Sequence, residues 1–304
     1  MTDPTTFYRH TNFYIVDVFS DQPLTGNPLA VVPDAGDLDV PTMQRFAREF
    51  NQSETTFLMS PTKKDADWRL RCFTPTGAEV TGAGHNALGA WWWLAEAGRL
   101  KLSDSGGSFS QEIGDKVLPV EVIARSGRLE AIGMIQTPPV FGKQMSDLRE
   151  LASALGLEPN DLDTEKLPAQ VVSTGAAHLL VPARSRSAVE RAKPDAERLA
   201  AVLRSVAGQG CYLFCLDPID PSSTAHARFF NPTVGISEDP ATGSAAGPLA
   251  CYLIERKIVP DGSTITVEQG HSLGRPSLIK VSVQGNQVNL TGRGVVVAQG
   301  VIRY

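Results

Sequence analysis

Arg71-Cys-Phe-Thr-Pro-Thr76 reappears 157 positions later as Arg228-Phe-Phe-Asn-Pro-Thr233. Each copy runs into a glycine turn and then an apolar stretch of helical character. The first turn is Gly82-Ala-Gly-His85, before Asn86 to Gly98; the second is Thr242-Gly-Ser244, before Ala245 to Lys257. The offset grows to 159 at Gly84 and Gly243, so the second loop carries two extra residues. A repeat of about half the chain is not a solenoid period. It predicts two similar lobes facing each other, with paired helix N-termini whose unpaired N–H groups can share one anionic ligand.

Composition allows this. The chain has 304 residues, of which 42% are hydrophobic, enough for a real core in one large or two medium domains. A net charge of −5 with no Lys/Arg block argues against nucleic acid as a partner. The segment Met1 to Asn12 is polar, and the most apolar run, Ala87 to Ala97, is too short to span a bilayer. Cys72, Cys211, Cys215 and Cys251 show no Cys-x-x-Cys spacing. Cys211 and Cys215 lie on one face of a strand-like run, which favours buried free thiols over a disulfide or metal site. The expectation is a reduced, cytoplasmic protein with no membrane partner.

Between the repeats, short β-branched runs outnumber helices. Strands are expected at Phe13 to Phe19, Leu29 to Val32, Thr55 to Met59, Trp68 to Phe73, Val117 to Ala124 and Leu129 to Ile135. Others follow at Gln170 to Val181 (with a kink at Thr174-Gly175), Gly210 to Leu216 and Ala225 to Phe230. The tail reads as strands at Ile265 to Val267, Leu278 to Val283, Gln287 to Leu290 and Gly294 to Ile302. Asp39 and Pro41 open a helix that Asn51 stops. Asp147 to Gly156 and Val189 to Ala207 are two more, and Leu100 to Ser110 reads as a surface loop. Thr137-Pro-Pro139 breaks the pattern and marks a lobe boundary, giving an N-terminal lobe of residues 1–136 and a C-terminal lobe of residues 137–289. Strands do not alternate with helices in a long βαβ series, so the class is α+β rather than doubly wound.

The glycine turns are the first candidates for chemistry. Gly84 and Gly243, with Ser244, let backbone N–H groups approach a carboxylate or an enolate formed from it; the alternative is that each glycine only permits a tight turn. Asp239, just before the second turn, is a helix cap or a substrate group, and the two roles are compatible. His85 occupies the matching turn of the first copy and is a packed residue or a proton relay. Glu54 enters an apolar strand, where a charge is poorly placed unless it is solvated or has a task; partial burial would raise its pKa as acid/base chemistry needs. There is no Gly-x-Ser-x-Gly elbow, no P-loop and no zinc spacing. Neither turn contains a cysteine, which disfavours a two-thiol racemase.

These residues resemble the PhzF-like phenazine-biosynthesis isomerase family, which shares the two-lobed fold of diaminopimelate epimerase and proline racemase. The matching segments are Asp17-Val-Phe19, Gly26-Asn-Pro-Leu-Ala-Val-Val32 and Ala47-Arg-Glu-Phe-Asn-Gln-Ser-Glu-Thr-Thr-Phe57. Phe73-Thr-Pro75, Gly84-His85, Ser173-Thr-Gly175, Phe229-Phe230 and the highly specific Glu238-Asp-Pro-Ala-Thr-Gly-Ser-Ala245 complete the set. The resemblance implies two lobes, each a mixed sheet wrapped around a central helix, with the active site in the cleft between them. It implies that the last strand, about 290–304, crosses back to the first lobe, and that the protein is a homodimer without metal or organic cofactor. It implies Glu54 as the proton-shuttling acid/base, His85 and Asp239 as its assistants, and Gly84, Gly243 and Ser244 as binders of a small substrate's carboxylate. An epimerase or racemase, or a silent small-acid binder, would keep the same cleft. Three departures fall in or near it: Asn86 where proline is typical, Gly82 where a bulky residue is common, and the run Trp91-Trp-Trp93, whose spread around a helix suits one buried on all sides.

Overall fold

The computed structural model describes residues 8–165 and 167–304, so residues 1–7 of the polar Met1 to Asn12 segment lie outside the described residues. The first half runs β1 (His10–Val18), β2 (Asn27–Val32), α1 (Val40–Phe50), β3 (Thr55–Met59), β4 (Trp68–Phe73), β5 (Glu79–Val80), α2 (His85–Glu96), β6 (Gly106–Ile113), β7 (Lys116–Arg125) and β8 (Arg128–Gln136). The second runs β9 (Val140–Gln144), α3 (Leu148–Ala154), β10 (Gln170–Ser173), β11 (Ala177–Pro182), α4 (Arg186–Arg191), α5 (Ala196–Ser205), β12 (Gly210–Cys215), β13 (Ala225–Asn231), β14 (Ile236–Asp239), α6 (Gly243–Glu255), β15 (Thr264–Gln269), β16 (Ser277–Gln284), β17 (Gln287–Gly292) and β18 (Gly294–Arg303).

The repeat extends to topology. β1 pairs antiparallel with β2, β2 parallel with β3, β3 antiparallel with β4, β4 parallel with β6, and β6 to β8 form a meander. The series β10, β11, β12, β13, β15, β16, β17 repeats those relations in the same order. β8 and β17, the last members of the two series, pair with each other. The strand after each then crosses over: β9 pairs with β10, and β18 with β1. The fold is α+β, two similar lobes of mixed sheet, each around a central helix.

α2 and α6 are those helices. Ala87 to Leu94 and Ala245 to Leu253 are buried without interruption, so both helices are apolar all round. Gly89 permits close approach to the sheet, since a Cβ there would sit 2.6 Å from Val18 and 2.7 Å from Leu29. The three tryptophans are core residues: Trp91 donates its indole N–H to Gln111 (2.9 Å) and Trp92 to Glu96 (2.8 Å), satisfying polar atoms that burial would otherwise strand. All four cysteines are free and buried. Along β12, Cys211, Leu213 and Cys215 face one apolar cluster while Tyr212 and Phe214 face the other, as the period of a strand requires.

Several local expectations change. Val189 to Ala207 is not one helix: Pro194 has no N–H to continue it, and Asp195 starts α5 afresh by accepting from the Arg198 N–H. Leu100 to Ser110 is not all loop, because Gly106 opens β6. Its glycine and serine content hid a strand that pairs with β4 and β7. The Thr174-Gly175 kink is a full reversal: Gly175 has φ +136°, and β10 and β11 run antiparallel. β9 was not expected. The central helices begin earlier than their apolar runs, at His85 and Gly243, so both residues lie in a first helical turn. α1 keeps its expected signals: Asp39 accepts from the Thr42 N–H, and Asn51 closes it in the left-handed region at φ 49°.

Candidate active site

Glu54 lies in the short link between α1 and β3. Thr55 and Thr56, paired with Ala30 and Val31 on β2, fix where the link enters the sheet. The Glu54 carboxyl is mostly covered, and its Oε2 lies 3.5 Å from Nδ1 of His85 at the start of α2. The other ring nitrogen, Nε2, is 3.2 Å from Ser53 Oγ. Ser53 in turn donates to Asn27 Oδ1 at 3.2 Å.

Asn27 carries the chain of contacts into the second lobe. Its Nδ2 donates to Asp239 Oδ1 (2.8 Å) and to the Ala241 carbonyl (2.9 Å), and the side chain is fully buried. The second Asp239 oxygen accepts from the Thr242 hydroxyl at 2.5 Å. Gln269 fixes the turn itself. It donates to the Asp239 carbonyl and the Thr242 hydroxyl, and its Oε1 accepts from the Thr242 N–H and the Tyr212 hydroxyl.

Burial decides the protonation of this cluster. Desolvation, helped by the nearby Asp239 charge, pushes the Glu54 pKa up to about 8. Asp239 is pushed up to about 6 by desolvation, against the pull of its bonds from Thr242 and Asn27. Burial lowers His85 to about 4. At neutral pH the site thus contains a neutral imidazole beside a carboxyl group poised near the working pH, as an efficient acid/base requires.

The helix starts differ. Asn86 Oδ1 accepts from its own helix's Ala87 N–H (2.8 Å) and from the Gly84 N–H (2.7 Å), and its Nδ2 donates to the Gly82 carbonyl (2.9 Å). The Gly84 N–H, expected to face a ligand, is occupied. At α6, the Thr242 carbonyl takes the Ala245 and Ala246 N–H groups, while Gly243 and Ser244 begin the helix with no protein acceptor for their N–H groups among the described residues. A Cβ at Gly243 would sit 2.6 Å from a Leu290 methyl, so any larger residue would have to push that side chain aside. Ser244 Oγ lies 3.2 Å from Nε2 of buried His178, whose Nδ1 has no partner among the described residues.

Of the residues singled out from sequence, Glu54, His85 and Asp239 come together around one cluster, with Gly243 and Ser244 beginning the helix just after it. Sequence reading missed Asn27, Ser53, His178 and Gln269 as site residues. Asn27 and Ser53 were already inside the matched segments, and their polar side chains beside an apolar strand were the available signal.

A family model described as phenazine biosynthesis-like protein matches residues 16–300. The chain belongs to this PhzC-PhzF family. The trans-2,3-dihydro-3-hydroxyanthranilate isomerase of Pseudomonas aeruginosa is 33% identical to this PhzF-family chain over 300 residues, covering 95% of this chain and 98% of its own. The crystal structure of a Bacillus anthracis phenazine biosynthesis protein of the PhzF family superposes with a TM-score of 0.89 at 31% identity, covering 97% of this chain and 99% of that one. A hydroxyproline epimerase from Agrobacterium vitis, at 13% identity and a TM-score of 0.65, covers 97% of this chain and 93% of its own and shares the fold. This PhzF-family chain is an isomerase. Among its described residues, no helix is long and apolar enough to cross a membrane.

Proposed function

We propose that the chain is a cofactor-independent isomerase in which Glu54 moves a proton between two carbons of a small carboxylic acid. The Glu54 carboxylate takes a proton from a carbon conjugated to the substrate's carboxylate or adjacent π-system. The C–H electron pair passes into that system, and the Glu54 acid returns the proton to another carbon, so no oxidant or reductant is required. Positive ends of α2 and α6 stabilise the anionic intermediate. The Gly243 and Ser244 N–H groups and the Ser244 hydroxyl hold the carboxylate. His85 and Asp239 position and assist, and Asn86 fills the Gly84 donor, leaving the first lobe to contribute the His85 N–H.

The observation that carries this reading is the asymmetry of the two lobes. Thr55 pairs with Phe73 and Cys211 with Phe230, and the two phenylalanines correspond through the repeat. Gly210, just before Cys211, therefore stands where Glu54 stands. A Cβ there would sit 2.4 Å from the Phe229 ring and 3.2 Å from His178 Nδ1, so the second lobe has no room for an acid/base at that point. One base serves a proton shift better than the two-base inversion of an epimerase.

The Pseudomonas relative's name gives the substrate class to try first: cyclic dienes with a carboxylate. Asn86 and Gly82 reshape the first-lobe turn, so close variants of that compound belong in the screen. The same reading divides the chain into residues 1–136 and 137–289, with the last strand returned to the first lobe, and places a homodimer in the cytoplasm, which four buried free thiols suit. The test is a panel of small unsaturated acids incubated in deuterated water and scored for a gain of one mass unit or a shifted double bond. Chiral analysis of any product separates isomerisation from epimerisation. Tight binding with no exchange over hours would instead identify a silent binder.

A further inference from the structure

The polarity of each hydrogen bond from Asp239 and Ala241 to His85 follows from groups that have only one option. The Ala241 carbonyl can only accept, so the Asn27 amide must present its Nδ2 to it, and the Asp239 carboxylate takes the other Nδ2 proton. Asn27 Oδ1 is thereby turned toward Ser53. A carbonyl oxygen cannot donate, so the single Ser53 hydroxyl proton goes to it. Ser53 Oγ is then an acceptor toward its other neighbour, His85 Nε2, which must carry a hydrogen. Burial keeps the imidazole neutral, and a neutral imidazole has only one N–H. The remaining nitrogen, Nδ1, is bare and lies 3.5 Å from Glu54 Oε2.

We infer that the relay from Asp239 and Ala241 through Asn27 and Ser53 locks His85 as its Nε2–H tautomer, so that a lone pair rather than an N–H faces Glu54, and that Asn27 and Ser53 are positioning residues for the proton transfer. The consequence is specific. An Nδ1–H would hydrogen-bond the Glu54 carboxylate and weaken it as a base. The lock withholds that bond, while the protonated Glu54 can still donate to Nδ1. His85 thus favours the acid form and leaves the carboxylate reactive, using a second-lobe carbonyl to set the chemistry of a first-lobe carboxyl. Asp239 on β14 and Cys72 on β4 are also coupled to Glu54 through charge, and among the described residues neither hydrogen-bonds it in place of His85. The tautomer does not depend on the function proposed above; only its catalytic consequence does.

The test is ¹⁵N-histidine NMR on the full chain, with the His85 signals assigned by their loss in His85→Gln. The wild type is expected to show the neutral Nε2–H pattern on both sides of the Glu54 titration. In Ser53→Ala, the His85 proton should move to Nδ1 once Glu54 ionises, and the Glu54 carboxyl, followed by ¹³C shift, should titrate at least one unit lower. Ser53→Thr, which keeps the hydroxyl, should restore both. With a substrate in hand, Ser53→Ala should lower kcat about tenfold, the size of one hydrogen bond, with KM within twofold. An Nδ1–H or imidazolium pattern in the wild type at pH 7 would overturn the inference without any variant needing to fold. So would Ser53→Ala spectra identical to wild type above the Glu54 titration. A locked tautomer in a chain that exchanges protons on no acid would leave the tautomer lock standing and remove the proposed function together with the positioning role.

Discussion

Gly210 occupies in the second lobe the register position that Glu54 occupies in the first. The two lobes share strand order, pairing sense and a central helix, yet at this matched point one carries a carboxyl group and the other carries no side chain at all. The space is taken by Phe229, which packs edge-on against His178 with ring centroids 4.9 Å apart. Gly210→Ala should therefore force the Phe229 ring aside and cost about 1–3 kcal/mol, as overpacking a filled core does. Gly36→Ala, where an added Cβ meets nothing within 4 Å, should stay within about 0.5 kcal/mol of wild type. Urea denaturation of the two variants makes the comparison; equal stabilities would mean that the Phe229 ring does not fill the site.

Glu54→Gln keeps the shape of the side chain and removes its proton-transfer capacity. Solvent-deuterium incorporation into a true substrate should fall by about 10²–10⁴-fold, the range for a positioned acid/base. Binding should change little, because the proposed mechanism has the substrate carboxylate held at the helix starts. A variant that exchanges at the wild-type rate would move the acid/base role to His85 or Asp239.

The raised Glu54 pKa has two signatures. In its proposed role as a base, Glu54 would act when ionised, so kcat/KM for proton abstraction should rise with pH through an apparent value near 8. Its stability effect has the opposite slope. The ordinary value is 4.5 and the folded value about 8, so between these the folded chain holds a proton that the unfolded chain has released. The stability tied to this group is complete below pH 4.5 and is lost progressively as pH rises to about 8. Glu54→Gln should accordingly melt higher than wild type at pH 8–9, with the difference shrinking toward pH 5. His85 works from the other side: lowered from 6.5 to about 4, it costs stability as pH falls through that window. Melting curves across pH 4–9 for wild type and Glu54→Gln read both slopes.

How much of this could be read from the chain depends on how local each signal is. Arg-x-Phe-x-Pro-Thr and the glycine turns are contiguous, so the duplication and the positions of His85 and Asp239 are visible; Glu54 stands out only by entering an apolar strand, and its role comes from the family resemblance. The break at Pro194 was also local and was overridden by the amphipathic pattern on either side. Asn27 was different. In Thr25-Gly-Asn-Pro28 it reads as a turn residue, and its partners Asp239 and Ala241 lie more than 200 positions away. His178 sits inside the apolar run of β11, where a single polar residue gives no hint that Ser244 is its neighbour. The exchange of β9 and β18 between lobes was legible for β18 only through family resemblance, because no local pattern records which sheet edge a strand will join.

The repeated arginines give a last prediction. Arg71 grips Glu79 with two bonds of 2.7 Å, and Arg228 grips Glu238 with bonds of 2.9 and 2.7 Å in the same geometry, so the fork is part of the repeat. Their surroundings differ. The Arg71 pair is partly solvated, with Glu79 37% exposed, whereas the Arg228 pair is about 10% exposed on both sides. Arg228 also donates Nη1 to the carbonyls of Val189, Glu190 and Ala192, closing the C-terminal end of α4. Arg228→Ala leaves the largely covered Glu238 carboxylate with only the Ser272 hydroxyl, removes a donor from three helix carbonyls, and should cost about 3–5 kcal/mol. Arg71→Ala breaks the same fork where water can replace it and should cost about 1 kcal/mol or less. A double-mutant cycle on each pair, measured by urea denaturation at low and high salt, should give the larger and less salt-sensitive coupling for Arg228 and Glu238. Equal couplings would show that burial adds nothing to the second fork.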